Sequence, residues 1–422
     1  MFGLVPLWWL LGAFYLVWPL FGALLLAFLL RRGRVVLPAG AAGWLLFLCL
    51  VLLSATQLER GTAWLTFALR LSFYLTALVV CVYVYTALRE QTPWRRVFLP
   101  LCLFWLALVV LGWVGVLLPR LAGVTATERL LPDLLAQAPF INDMVHLHAS
   151  EFNARSAQPI YRPSAPFPYT NNWGSAYAML VPCVVAYLLS VRTGRWRPVL
   201  MVSLPLSLPP AFLTLNRGMF VSLGAGLALL AVRALLRGNV RVVAGVAVLA
   251  GSVWLATLVI PVADLIAERT SRSGTTLDRA GLYLEVLRQV RRSPLLGHGA
   301  PVAVDTTTSS APVGTQGQFW LVLFSHGIPA LLCFLCWFAV VTWHATRAVS
   351  PAGQWLAVVP VVALVQSPFY GLTFQNLTVL FFAAGLALAA VDGPVRRTPA
   401  GARAPVRRTP AGAGGRGGPW PA

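Results

Sequence analysis

The sequence returns, over most of its length, to unbroken apolar runs of about 20 residues. A run of that length spans a hydrocarbon layer of ~30 Å as a helix, at about 1.5 Å per residue. In lipid every backbone N–H and C=O must be satisfied internally, which leaves helices and closed barrels as the spanning structures. Eleven candidate spans lie near 5–30, 36–55, 63–86, 97–118, 173–191, 198–214, 217–236, 239–260, 318–343, 354–371 and 374–391. The expected fold is an all-α polytopic membrane protein with about 11 (10–12) transmembrane helices. Composition fits: 58% of the 422 residues are apolar, 10% are charged, and the mean hydropathy is +0.77. A soluble domain carries roughly a quarter charged residues. The opening MFGLVPLWW lacks a basic flank and is not read as a secretory signal.

Charge is segregated. The formal +20 comes from arginine alone among the basic residues, and most of it falls in one set of loops. Those loops hold Arg31, Arg32, Arg34, Arg89, Arg95, Arg96, Arg192, Arg195, Arg197, Arg233, Arg237, Arg241, Arg347 and the C-terminal tail. The alternate loops, 56–62, 119–172, 214–217 and 261–317, are nearly balanced. The positive-inside rule then places the C-terminus in the cytoplasm, the N-terminus outside, and both long loops outside. With the charge so distributed, nucleic acid is not the expected partner. The six cysteines all sit inside apolar spans and read as small buried hydrophobes; CFLC at 333–336 has no polar company for a metal or redox role.

One transmembrane domain over 1–392 is expected, followed by a disordered basic tail at 393–422. The tail repeats PVRRTPAGA at 394–402 and 405–413 and has nothing from which to build a core. It suits contact with anionic lipid headgroups, or no role at all. The outer loops are expected to contain short amphipathic helices, at ATERLLPDLLAQ (126–137) and LDRAGLYLEVLRQVRR (277–292). INDMVHLHASEF gathers Asn142, Asp143, His146, His148 and Glu151, which suit a solvated loop or substrate rim better than a complete metal site.

Two arginines lie within or at the edge of spans. Arg217 opens 217–236 after Asn216 and before Gly218. Arg70 lies six residues after Trp64, about 9 Å along the helix. Snorkelling would explain either one, and a helix–helix hydrogen bond would also explain Arg70. Arg217, however, stands on the side that the positive-inside pattern keeps poor in arginine.

The combination is more specific. LTLNRGMFVSL (213–223), DRAGLYLEVLRQVRRSPLLGHGAP (278–301), GTQGQFWLVLFSHGIPALL (314–332) and FPYTNNWGSA (167–176) follow one another in an order and spacing that resembles the O-antigen ligase and polymerase family. The resemblance covers roughly 160–335. It implies a GT-C-like membrane glycosyltransferase of the bacterial plasma membrane, acting on a polyprenyl-diphosphate-linked glycan and transferring it to a glycan or lipid acceptor. Carried over residue by residue, Arg217 and Arg279 contact the diphosphate. Arginine presents a planar, always protonated fork that matches phosphate oxygens, and would stabilise the charge growing on the leaving group. No Asp-x-Asp motif is present, and no metal or other cofactor need be invoked.

One departure from the pattern stands out. Where ligases of this family place a histidine that activates the acceptor hydroxyl, this chain has Gln316, which orients a hydroxyl but does not take its proton. His298 and Asp305 are candidate replacements, although His298 also reads as a satisfied loop histidine; His326 reads as packing. Arg70, Arg162, Asn172, Arg288, Asp305 and Trp320 complete the candidate substrate contacts. Two alternatives remain at this level. One is a homologue that binds lipid-linked glycan without turnover. The other is a transporter or flippase of lipid-linked sugars, disfavoured because no internal repeat lies outside the tail and no Asp or Glu lies within a span.

Overall fold

A computed structural model describes residues 1–33, 35–58, 61–132, 139–153, 160–259, 275–301, 313–372 and 375–393. For a few of these, among them 252–259 and 275–280, the description covers the backbone alone. Asp305 and the tail beyond 393 lie outside the described residues.

Among the described residues the regular structure is helical, apart from two short antiparallel ribbons in the first long loop. Ala122–Gly123 (β1) pairs with Leu147–His148 (β2), and Ser150–Asn153 (β3) pairs with Ile160–Pro163 (β4). The helices before this region are α1 (Val5–Leu10), α2 (Val17–Arg32), α3 (Ala41–Ser54), α4 (Gly61–Arg89) and α5 (Trp94–Leu117). Within the loop lie α6 (Ala126–Leu130) and α7 (Pro139–Val145). After it come α8 (Thr170–Ser190), α9 (Trp196–Leu206), α10 (Leu208–Leu213), α11 (Arg217–Leu236) and α12 (Val240–Val259). The remainder is α13 (Thr275–Val290), α14 (Gln318–Ala345), α15 (Pro351–Leu356), α16 (Val358–Gln366) and α17 (Gln375–Asp392).

Six helices among the described residues are long and apolar enough to cross a membrane: α4, α5, α8, α11, α14 and α17. The protein is therefore an all-α, membrane-embedded chain, but eleven continuous spans are not present among the described residues. Proline accounts for two of the interruptions. Pro209 and Pro210 lack the N–H groups that would bond residues 205 and 206, and the chain breaks at Ser207 between α9 and α10. Pro360 lacks the donor for residue 356, and the chain breaks at Ala357 between α15 and α16. The first apolar run divides at Gly12, whose φ of 71° belongs to the left-handed region.

Side-chain pairings fix how the long helices run. Trp44 of α3 meets Tyr74 of α4 and Trp337 of α14, while Ser54 of α3 meets His326 of α14. So α4 and α14 both run antiparallel to α3 and parallel to each other. Trp337 stacks on Phe381 of α17 at 4.1 Å, and His344 lies 3.3 Å from Asp392, so α17 runs with α14. Tyr370 contacts the start of α11, while Arg233 and Arg237 near its end reach Thr346 after α14, so α11 runs the same way. The starts of α4, α11, α14 and α17 thus gather at one end of the molecule and their C-termini, with Arg89, Arg233 and His344, at the other. A dense aromatic core of Trp18, Trp44, Phe47, Trp105, Trp173 and Trp355, each fully buried, lies between.

Candidate functional site

The start of α11 explains the Asn-Arg-Gly sequence. Thr214 ends α10, and Leu215, 3% exposed, follows at φ 50°. A left-handed conformation at a buried leucine costs about 1–3 kcal/mol and persists only where surroundings enforce it. The enforcing contacts are clear. Arg162, 3% exposed, donates from Nε to the Thr214 carbonyl at 2.7 Å, with Glu151 3.9 Å from its Nη1. Asn216, 1% exposed, accepts the Met219 N–H at 3.1 Å as an N-cap. The Tyr370 hydroxyl donates to the same Asn216 oxygen and accepts the Gly218 N–H at 3.0 Å. A Cβ at Gly218 would collide with the Tyr370 hydroxyl, which is why glycine follows the arginine. Arg217 itself, half-buried, is the first residue of the helix.

That position has an electrostatic consequence. A helix N-terminus carries roughly half a positive charge, so a cation there is disfavoured by about 0.3–1 kcal/mol and an anion favoured by a similar amount. An always charged guanidinium in the first turn gains most when an anion joins it.

The segment between α16 and α17 ties this junction to the other candidates. The Tyr370 carbonyl accepts the Gln318 N–H at 2.9 Å, and the Ser367 carbonyl accepts the Phe319 N–H at 2.9 Å. These satisfy two of the N–H groups that the start of α14 would otherwise leave open. In return Gln318 Oε1 accepts the Leu372 N–H at 3.1 Å. The Pro368 carbonyl accepts both the Trp320 indole N–H, at 3.1 Å, and the Tyr283 hydroxyl, at 3.2 Å, whose rings stack at 4.4 Å. Tyr283 belongs to α13, and position 279 lies one helical turn before it on the same face. Arg217, Trp320, Gln316 (half-buried, just before α14) and the α13 face bearing position 279 are therefore linked through one seven-residue segment, 366–372. The side chain of Arg279 is outside the described residues.

The remaining candidates fall elsewhere or have structural engagements. Arg288 projects from α13 with a side chain 76% exposed, 3.6 Å from Glu285. The Asn172 carbonyl accepts Asn376 Nδ2 at 3.0 Å, joining α8 to α17. Arg70 is only 9% exposed, so it does not snorkel outward.

His298 and its PLLGHG surroundings serve a break in α14. Gly327 (φ 81°, ψ −179°) interrupts the helix, and Pro329 supplies no donor to the Ser325 carbonyl. The Gly299 N–H takes that carbonyl at 2.7 Å, and the His298 N–H takes the Phe324 carbonyl at 3.0 Å. The Ile328 N–H turns away to Pro294 at 2.8 Å. Every backbone group freed by the break finds a partner in the loop, as burial requires. Gly297, at φ 63°, lies too close to the Phe324 carbonyl and the His326 N–H for a side chain. The imidazole of His298 meets the Gln289 carbonyl at 3.2 Å through Nε2 and lies over Phe324 at 4.8 Å.

In the first long loop, Glu128 closes a capping box with Thr125 and pairs with His146 at 3.0 Å. His148 lies between the carbonyls of His146 and Pro168, at 3.2 and 2.9 Å. Glu151 accepts the Thr170 N–H at 2.9 Å at the start of α8, and Asp143 accepts from Tyr169. Burial, and then the bond to Asp143, push the Tyr169 phenol well above its ordinary range. Among the described residues no three His, Cys, Asp or Glu side chains gather as a metal site would require.

Sequence reasoning missed Tyr370, which lies in a stretch with no motif, and Tyr283, which lies within the 278–301 stretch but was not singled out; the fold brings Tyr370 to the Asn216 side chain and the Gly218 N–H, and Tyr283 onto the Trp320 ring. No protein-family model matches this chain, and no curated protein shows significant similarity to it.

Proposed function

We propose that the chain is a membrane glycan polymerase or ligase akin to the O-antigen ligase and polymerase family. It transfers a polyprenyl-diphosphate-linked saccharide to an acceptor hydroxyl at the outer face of the bacterial plasma membrane. The observation that supports this reading best is Arg217, placed at the positive end of α11 in a strained, fully braced turn and linked through residues 366–372 to α13 and the start of α14. Such a cation, placed at a helix start by a braced turn, suits a diphosphate that becomes more anionic as it leaves. Arg279 is the second diphosphate contact in this reading. The bond from the anomeric carbon to the diphosphate oxygen breaks, and the acceptor oxygen takes its place. Gln316 orients the acceptor, and the hydroxyl proton passes to an oxygen of the departing diphosphate. In a GT-C-like arrangement of eleven crossings, the pairs α1–α2, α9–α10 and α15–α16 each make one broken span. The N-terminus and long loops lie outside, and the basic tail lies in the cytoplasm against anionic lipids.

Gln316, standing where a histidine is expected, favours one second reading: a homologue that binds the lipid-linked glycan without turnover. Purified full-length protein in detergent, given lipid-linked donor and hydroxyl acceptor, separates the two. Product that disappears in Arg217→Ala and Arg279→Ala supports transfer, and full activity in both variants sinks it. Donor binding that depends on Arg217, with no product, establishes the binding homologue. Movement of donor that requires a sealed vesicle and yields no product establishes transport.

A further inference from the structure

The proline break between α9 and α10 leaves a groove on the exposed side of α5 and α9. It encloses about 730 Å³, within the range of roughly 300–1,000 Å³ common for ligand clefts. Val110 and Leu117 of α5 and Val199, Val202 and Leu206 of α9 border it, each 44–69% exposed. Trp113 and Ser203 supply the polar side-chain atoms of the lining.

Both of those polar groups are engaged. Trp105 Nε1 donates to the Ser203 hydroxyl oxygen at 2.8 Å, and that hydroxyl donates to the Leu200 carbonyl at 2.9 Å. Pro210 leaves the Leu206 carbonyl without its helical donor, and the Trp113 indole N–H takes it at 2.8 Å. A lining whose polar atoms are engaged does not select a sugar or a peptide backbone, which would lose hydrogen bonds to water on entering; it suits a hydrocarbon chain. The lining runs about 12 Å along α9, from Pro198 to Leu206, and about 16 Å along α5, from Leu106 to Leu117. One leaflet of a ~30 Å hydrocarbon layer has that depth.

Charge marks one mouth of the groove. Arg95, at the start of α5, bonds Tyr187 near the end of α8 and lies against Gly194, so α5 and α9 both start at the end of the molecule that holds Arg89. Arg197 turns to the carbonyls of Leu188 and Val191. Arg195 immediately precedes α9, three and four positions before Pro198 and Val199, and so shares their groove face. It is exposed, with its guanidinium over the Trp196 ring at 5.2 Å, and Arg192 is exposed in the same turn. An apolar cleft with arginine at its mouth complements an acyl chain joined to an anionic headgroup. That mouth lies at the opposite end of the molecule from Arg217, so the lipid it fits is not the glycan donor.

We propose that the groove between α5 and α9 binds one anionic phospholipid from the leaflet at the basic end. An acyl chain of that lipid lies against Trp113 and Val202, and its phosphate meets Arg195. Neither Arg217 nor Gln316 takes part, so this site stands whether or not the chain transfers sugars.

The test is native mass spectrometry of the full chain, equilibrated in detergent with equal amounts of dioleoyl phosphatidylglycerol and dioleoyl phosphatidylcholine. The chain should keep one phosphatidylglycerol, preferred about fivefold over phosphatidylcholine, the effect of a single arginine near anionic headgroups. Arg195→Gln should erase that preference. Val202→Trp fills the groove from an exposed position, leaves the core intact, and should abolish retention of either lipid. Leu24→Trp, on the exposed side of α2, should retain phosphatidylglycerol as the parent does. No retained phosphatidylglycerol, equal retention of the two lipids by the parent, an unchanged preference in Arg195→Gln, or equal effects of Val202→Trp and Leu24→Trp would overturn the site. A dimer that Val202→Trp dissociates with lipid unchanged would make the groove an interface between copies, and displacement of phosphatidylglycerol by equimolar polyprenyl phosphate would give it to an isoprenoid tail; either result also overturns the proposal.

Discussion

The two ends of α11 both carry arginine, one set aligned with the helix dipole and the other opposed to it. At the C-terminal end Arg237 donates to the carbonyls of Ala348 (2.7 Å) and Thr346 (2.9 Å), and Arg233 shares the Thr346 carbonyl. Cations belong at that end, where the helix dipole is negative and the carbonyls of neighbouring helix termini lack intrahelical donors. The same chemistry recurs nearby: Arg89 caps Asp392 and Gly393, and Arg197 caps Leu188 and Val191. At the N-terminal end Arg217 faces the opposite sign of dipole, beside a buried leucine held at positive φ. Helix physics alone explains the first set of arginines. For Arg217 the helix dipole by itself is unfavourable.

The sharpest way to break this contrast is to remove each arginine separately. Arg217→Ala should lower transfer about 100–1000-fold, the size of effect seen when a preorganised group that stabilises a leaving or developing anion is deleted. Arg237→Ala should leave transfer within twofold. Radiolabelled donor and a gel or chromatographic readout of product suffice for both. Comparable losses in the two variants would make Arg217 one more structural arginine.

Gln316 provides the next largest effect. A general base contributes about 100–10,000-fold where it is well placed, and glutamine supplies none of this. Gln316→His should therefore raise the rate tenfold or more at neutral pH, because residue 316 sits half-buried immediately before the Gln318 lock on Tyr370. A rate equal to or below the parent would show that residue 316 does not face the acceptor.

How much of this was legible beforehand depends on the kind of signal. Apolar runs announce helices in lipid, so α4, α5, α8, α11, α14 and α17 were readable, along with the gathering of arginine at one side. Where expected spans are interrupted at α9–α10 and α15–α16 the reason is local: a hydropathy run does not register that Pro209, Pro210 or Pro360 leaves a carbonyl without its donor four residues earlier. Arg217 was conspicuous as a lone charge. Its braces were not: Arg162 stood out only as a candidate substrate contact, Tyr370 carries no pattern of its own, and nothing in the sequence shows that the two close on Thr214 and Asn216. PLLGHG was conspicuous, but its place in the fold was not. Its glycines and His298 serve the break at Gly327, and that pairing is visible only once Phe324 and Ser325 are seen to lack their helical donors.

Tyr370 sharpens the contrast from the side of position rather than charge. Tyr370→Phe keeps the ring beside Gly218 but deletes the hydroxyl that bridges Asn216 and the Gly218 N–H. An unsatisfied buried N–H costs about 1–3 kcal/mol, and the strained turn at Leu215 loses one of its restraints. The variant should bind the lipid-linked donor roughly tenfold more weakly, measured as a rise in donor KM with the acceptor KM unchanged. A merely structural tyrosine would lower thermal stability and leave both KM values alone.

The smallest effect lies at the basic end. Arg237→Gln shortens the side chain and removes the charge, so the Ala348 carbonyl and the end of α14 lose a charge-assisted donor. Because Arg233 still reaches Thr346, part of the cap survives, and the expected loss is about 1 kcal/mol. A thermal melt in detergent should show it as a shift of a few degrees, with donor KM and turnover unchanged. The double variant Arg233→Gln/Arg237→Gln should lose more than the sum of the two singles, because each arginine covers for the other at the Thr346 carbonyl. Strict additivity would mean that the two side chains cap independently, and that the basic end is a set of separate anchors instead of one shared cap.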